Sequence, residues 1–174
     1  MIKWLYLKIR NYLHEDPAER IIKNGGVIGQ NVHIYDGGGS SIDYGFANLL
    51  DIGDNVTISN STILLHDASI KKELGYVKIG KITIGDNVFV GAGSILLPNI
   101  EIGNKVIIGA GSVVSKSIPD NSVAVGNPIR VIGTYDDYMK KCKGWINEYP
   151  HFKESEFVSE PERLKKGIKK WGFI

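Results

Sequence analysis

Ile102-Gly103-Asn104-Lys105-Val106-Ile107-Ile108-Gly109-Ala110-Gly111-Ser112-Val113-Val114 places an aliphatic side chain at every sixth residue. The same beat runs just ahead of it through Ile84, Val90 and Leu96, further back through Ile52, Ile58, Leu64 and Ile70, and through Ile28 and Ile34. A period of six is neither the roughly 3.6 of a helix nor the two of an ordinary strand, and a short fixed repeat is the mark of a solenoid. Glycine follows many of these aliphatics (Gly29, Gly53, Gly85, Gly91, Gly103, Gly109), and Asn or Asp stands close by, as in Ile52-Gly53-Asp54-Asn55 and Ile84-Gly85-Asp86-Asn87. Both residue types tolerate left-handed corners. Each hexapeptide is therefore expected to be a short strand and a corner, with three sides closing a coil of about 18 residues whose rungs stack roughly 4.8 Å apart. The repeated aliphatic fills the interior, and Val56, Val88, Ser94, Val106 and Ser112 complete each side.

The chain has 174 residues, enough for one domain with a good core. Of its 21 glycines, 18 fall between Gly25 and Gly133, which marks the body of the solenoid. A net charge of +2, without aromatic and basic residues interleaved in the repeats, argues against a nucleic-acid binder. The single Cys142 rules out an internal disulfide and any zinc-cluster spacing, which fits the cytoplasm. No stretch has the length of a membrane span. Residues 1–24 are expected to form an amphipathic helical cap, with Ile2, Leu5, Ile9, Tyr12 and Leu13 near one face. Contact of this basic helix with an anionic membrane surface is a lesser alternative. From 134 to 174 the beat is lost, and a charged, aromatic helical extension follows; its last stretch sets Arg163, Lys165, Lys166, Lys169 and Lys170 around Leu164, Ile168 and Trp171.

The repeat slips once. Positions 52, 58, 64 and 70 share one phase and 84 to 114 another, shifted by two residues, and the segment between them has no repeat character. A loop is expected to leave the coil over about residues 67–80. His66 stands just before it, two places beyond Leu64, and is expected to point outward.

The glycine-rich beat, together with Ser115-Lys116, Ile118-Pro119 and Val123-Ala124-Val125-Gly126-Asn127-Pro128-Ile129-Arg130-Val131-Ile132, resembles the hexapeptide-repeat acyltransferases. The likeness covers residues 25–133 and is nearest to the sugar O-acetyltransferase branch that includes the galactoside and maltose acetyltransferases. The resemblance implies an all-β solenoid of the left-handed parallel β-helix type, with an N-terminal helical cap and a C-terminal helical extension. The hand comes from the family alone, since parallel crossovers in general are right-handed. It also implies a homotrimer with active sites between subunits, acetyl-CoA as acyl donor, a saccharide acceptor and no metal.

By that resemblance His66 is the general base. An imidazole with an unperturbed pKa of about 6.5 suits the task of taking a proton from an acceptor hydroxyl as it attacks the thioester. No covalent intermediate is required. Ala92 matches a backbone donor for the oxyanion, and Ala110 a contact to the pantetheine arm. Ser115 and Lys116 match the nucleotide end, and Arg130 the adenosine phosphates. Asn48 matches an acceptor contact; Asp67 is expected beside the acceptor or orienting His66, and the stretch Asp36 to Ser41 could border the same cleft. Two departures stand out: Phe89 where relatives often carry Trp, and Gly133 where many carry a second basic residue.

Three other readings compete with this one. An amine acceptor would use the same base. A γ-class carbonic anhydrase needs a three-histidine zinc site, which His14, His33, His66 and His151 do not assemble in the repeats. A non-catalytic scaffold would need neither His66 beside a loop nor the Lys116 and Arg130 tail.

Overall fold

The computed structural model describes residues 16–35, 41–153, 156–159, 161–168 and 173. The expected helical face at Ile2 to Leu13, the stretch Asp36 to Ser40, and Lys169, Lys170 and Trp171 lie outside the described residues. The chain divides into two compact units, the first ending at Tyr135.

In the first unit, the chain visits three parallel sheets in turn. The first sheet stacks β1 (Val27–Ile28), β4 (Leu50–Ile52), β9 (Ile82–Ile84) and β12 (Ile100–Ile102). The second holds β2 (His33–Tyr35), β5 (Thr57–Ser59), β10 (Val88–Val90), β13 (Val106–Ile108) and β15 (Ser122–Val125); β16 (Arg130–Thr134) closes it as an antiparallel edge. The third stacks β3 (Ser41–Ile42), β6 (Thr62–Ile63), β11 (Ile95–Leu96) and β14 (Val113–Val114). Val88 pairs with Val106 and Ile82 with Ile100, eighteen residues apart. The repeated aliphatics build the core: Ile52, Ile58, Ile84, Val90, Leu96, Ile102, Ile108 and Val114 are all buried, and the residue two places earlier is often buried too, as at Leu50, Val56, Ile82, Val88, Ile100 and Val106. Ser94 and Ser112 are also inside, each hydroxyl donating to a corner carbonyl, of Gly91 at 2.7 Å and of Gly109 at 2.5 Å. Ile28 and Ile34 pack half-buried against this core.

Two members of the six-residue beat depart from expectation. Leu65, not Leu64, is fully buried, because Ile58 and Ile63 pair with Val90 and Leu96: the lower corner, turned at Asn60 with φ +38°, is one residue shorter. Ile70 is not in the coil at all; it stands at the N-cap of helix α2 (Lys71–Leu74) on the excursion.

The glycines after the aliphatics also serve differently from the expectation. The left-handed conformation at the corner between the first and second sheets falls to Asn31, Asn55, Asn87, Lys105 and Asn121, with φ of 54°, 56°, 57°, 53° and 55°. Gly53, Gly85 and Gly103 are needed for closeness. Each N–H reaches the coil above, Gly53 to Ile84 O and Gly85 to Ile102 O at 2.8 Å, Gly103 to Ile118 O at 2.9 Å. A Cβ at Gly85 would stand 2.8 Å from Asn104 Oδ1 and 2.9 Å from the Gly103 carbonyl carbon. The side chains above complete the seam as a ladder. Asp54 Oδ1 accepts from Gln30 N, Asp86 Oδ1 from Asp54 N, Asn104 Oδ1 from Asp86 N and Asp120 Oδ1 from Asn104 N, at 2.7 to 2.8 Å.

Ahead of the coil, α1 (Pro17–Lys23) starts with Asp16 accepting from Ala18 N and with Pro17 at a position whose N–H needs no partner. It buries Ile21 against the first turn. The second unit contains α3 (Tyr135–Glu148) from Asp136 onward, α4 (Glu156–Ser159) and α5 (Pro161–Gly167). Leu164 is buried there, and Phe152 and Phe173 are tied by a 2.7 Å backbone bond. Burial and the neighbouring Cys142 raise the Tyr138 hydroxyl above its usual pKa. The Lys153 N–H, with Arg163 beyond it, holds Glu156 below the carboxylate range.

Gly85→Ala is expected to destabilise the chain by about 2 kcal/mol through overpacking of the seam. Gly133→Ala, whose Cβ would meet nothing within 4 Å, is expected to change stability by less than about 0.5 kcal/mol. Denaturant unfolding of the two variants checks the difference.

Candidate active site

The chain leaves the coil at the corner between the third and first sheets. After β6, Leu65 turns into the interior, and β7 (His66–Asp67) pairs antiparallel with β8 (Lys78–Ile79) to form a short ribbon tipped by α2. Gly75, at φ +76°, reverses the chain after that single turn. Leu50 and Ile82, stacked neighbours in the first sheet, are consequently 32 residues apart, and the phase shift of the beat is what this spacing leaves over after whole hexapeptides. At the neck of the ribbon Asp67 accepts from Lys78 Nζ at 2.5 Å and from Ser69 N at 2.8 Å. These two donors, Lys78 first, hold the Asp67 carboxyl well below the usual carboxylate range.

His66 emerges beside Asp67 with its side chain 36 % exposed. Its Nδ1 meets Asp43 Oδ2, and the same oxygen accepts from Leu65 N at 3.1 Å. The Phe46 ring lies 4.8 Å from the imidazole, tilted by 31°. Asp43 and Phe46 belong to one stretch: Asp43 follows β3, and Phe46 sits in the 3-10 turn Tyr44–Leu49. Ser41 and Ile42 pair with Thr62 and Ile63, so Asp43 lies directly beneath the point where the chain turns toward His66. Sequence reasoning missed Asp43 and looked to Asp67, whose carboxylate is bound to Lys78 instead. The signal was an acid one residue past an inward aliphatic, legible only once a 21-residue coil is known.

The other expected residues divide between two edges. Asn48 is exposed on the 3-10 turn. Asp67 and Ser115 line one cleft of ≈ 430 Å³ with Lys78, Ile79 and Leu97, and the exposed Lys116 follows Ser115. Ala92 and Ala110 lie across the third sheet, at the corner between the second and third. They are exposed and stacked one coil apart, with Gly111 N donating to Ala92 O at 2.9 Å. Arg130 is exposed at the start of β16, past the turn that leaves the second sheet. Phe89 lies on the second sheet, 44 % exposed. Ala92 precedes and His66 follows a strand of the third sheet, so about four extended residues, or about 13 Å, lie between the edges within one chain. Among the described residues no three His, Cys, Asp or Glu gather into a metal-holding group, and no helix is long and apolar enough to cross a membrane.

A three-sided parallel coil with an extruded ribbon and a half-exposed histidine at its neck defines the class, and comparison with known proteins agrees. The family model for the bacterial transferase hexapeptide (six repeats) matches residues 81–116. The crystal structure of a maltose O-acetyltransferase from Clostridium difficile 630 is 33 % identical, covering 66 % of this chain and 72 % of that one, with a TM-score of 0.52. A galactoside acetyltransferase in complex with coenzyme A is 28 % identical over 75 % of this chain and 78 % of that one, with a TM-score of 0.54. The galactoside O-acetyltransferase of Lactococcus lactis subsp. lactis (strain IL1403) is 40 % identical over 111 residues, 59 % of this chain and 53 % of the relative. The chain belongs to the bacterial hexapeptide-repeat transferase family. It spans little more than half the length of the curated relatives it matches.

The Asp67 carboxyl has a depressed pKa when folded, so its stabilisation is present above the ordinary carboxylate value and is lost only as pH falls through the depressed one. The Ser69 amide shift in an NMR spectrum is therefore expected to stay constant from neutral down to about pH 4, where free carboxylates already protonate. A titration of Ser69 centred near pH 4 would contradict the pairing.

Proposed function

We propose that the chain is an acetyl-CoA-dependent O-acetyltransferase that acts on a sugar hydroxyl. Residues 25–133 are its catalytic domain, a left-handed β-helix capped by residues 1–24 and extended by 134–174. It works in the cytoplasm, where acetyl-CoA is at hand, as a homotrimer with sites between subunits. The observation that carries the reading is the free edge of His66. No described residue bonds its Nε2, and the ring stands at the neck of the ribbon on a coil whose relatives are named as galactoside and maltose O-acetyltransferases.

In the reaction His66 Nε2 takes the proton of the acceptor hydroxyl as that oxygen forms its bond to the acetyl carbonyl. The oxyanion of the tetrahedral intermediate accepts from the Ala92 N–H, a backbone donor fixed by the corner and needing no reorganisation. Collapse breaks the carbon–sulfur bond, and His66 returns the proton to the departing CoA sulfur. The Ala110 backbone, Ser115 and Lys116 hold the donor, and Arg130 meets its phosphates; Asn48 and Asp67 face the acceptor. Separation of the Ala92 and His66 edges within one chain supports a site built by two copies, since both must reach a single carbonyl.

The test is release of CoA thiol from acetyl-CoA with a panel of neutral sugars, nucleotide-linked amino sugars and aminoglycosides. Turnover with hydroxyl acceptors is expected, and His66→Ala is expected to lower it about 1,000-fold while acetyl-CoA still binds. Turnover confined to amines would replace the acceptor class. Absence of both turnover and acetyl-CoA binding would favour a non-catalytic coil.

A further inference from the structure

We infer that Asp43 is the positioning residue of His66: it fixes which ring nitrogen carries the proton and leaves Nε2 as the reactive one. An ionised carboxylate only accepts hydrogen bonds. Asp43 Oδ2 already accepts from Leu65 N at 3.1 Å, so the approach of His66 Nδ1 to the same oxygen requires that Nδ1 bear the hydrogen. In the neutral ring, the lone pair then lies on Nε2. Histidine in water favours the opposite tautomer, so this preference must come from Asp43.

Among the described residues Asp43 stands alone in this role. The other charged groups at the ribbon neck, Asp67 and Lys78, are bound to each other at 2.5 Å. On the 3-10 turn, Tyr44 lies under the Arg20 guanidinium at 3.9 Å. Phe46 covers the imidazole at 4.8 Å between centroids, and the backbone of His66 is held in register with Ile79. The Asp43 side chain is only 17 % exposed, so solvent screens its bond to the ring less than it would at the surface. When Nε2 gains a proton, the adjacent carboxylate stabilises the imidazolium that results. Asp43 thus acts through His66 and touches neither donor nor acceptor.

The catalytic meaning of this role rests on the acyltransfer reading, but its physical content does not. Two readouts therefore go together: the imidazole tautomer of His66 from ¹⁵N NMR, and kcat against KM for acetyl-CoA. In the intact chain the Nδ1–H tautomer is expected to dominate. Asp43→Ala is expected to shift the ring toward Nε2–H and to lower kcat about 100-fold with little change in KM. Asp43→Asn keeps the side chain's size and an oxygen for Leu65 N, guards against loss of fold, and is expected to lower kcat about tenfold through loss of the charge. An unchanged tautomer in Asp43→Ala, or wild-type kcat in Asp43→Asn, overturns the proposal. A tautomer shift in a chain that turns over no acceptor leaves Asp43 in its role and removes the acyltransfer reading instead. Turnover that depends on His66 but not on Asp43 removes the Asp43 role alone.

Discussion

Every coil has to lie within a backbone hydrogen bond of the next, and at the corner between the first and second sheets that distance leaves no room for a side chain. Gly29, Gly53, Gly85 and Gly103 meet this constraint one above another, and at each a Cβ would fall within 3 Å of the coil above. The residue after each of these glycines donates its N–H to the Asp or Asn of the next coil, so the seam is closed by close approach and hydrogen bonding together. Once the seam is fixed, the inward direction of the repeated aliphatics follows. The core from Ile52 to Val114 is the result.

A frame so tightly indexed confines variation to its other corners. The ribbon exits where the third sheet gives way to the first, and the coil resumes at Ile82 in register with Leu50 as if nothing had been inserted. That rigidity fixes His66. Its backbone is held by the ribbon, its ring lies against Phe46, and its Nδ1 meets a carboxylate from the coil beneath. The same indexing keeps Ala92 and Ala110 on the opposite edge of the third sheet.

The interior was legible in the sequence because an inward position admits only a narrow class of side chains, so a six-residue beat survives in the letters. Leu64 misled because one corner is a residue shorter, so Ile63 takes the inward place opposite Leu96 and Leu65 follows it two residues on. Glycine and Asn both suit a left-handed corner, but between the first and second sheets that position belongs to Asn and to Lys105, while Gly93 and Gly111 take it between the second and third; composition reveals that a turn is tight, not which residue bears the strain. His66 could be picked out because it stands where the beat fails. Asp43 could not. Its distance from His66 is set by a coil of 21 residues where the coils from Ile82 to Val114 repeat at eighteen, and nothing in the letters around Ile42 gives that length.

The proposed division of the site between two edges of the chain is tested most directly by mixing inactive subunits. On the proposed reading His66→Ala removes the base and Ala110→Trp fills the donor's path with a bulky ring, so each variant alone is expected to be silent. Co-expressed, the two should recover acetyl transfer, because a hybrid assembly can set an intact His66 from one chain against an intact Ala110 edge from the other. If the hybrids form and remain silent, both edges act within a single chain and the account of the site is wrong.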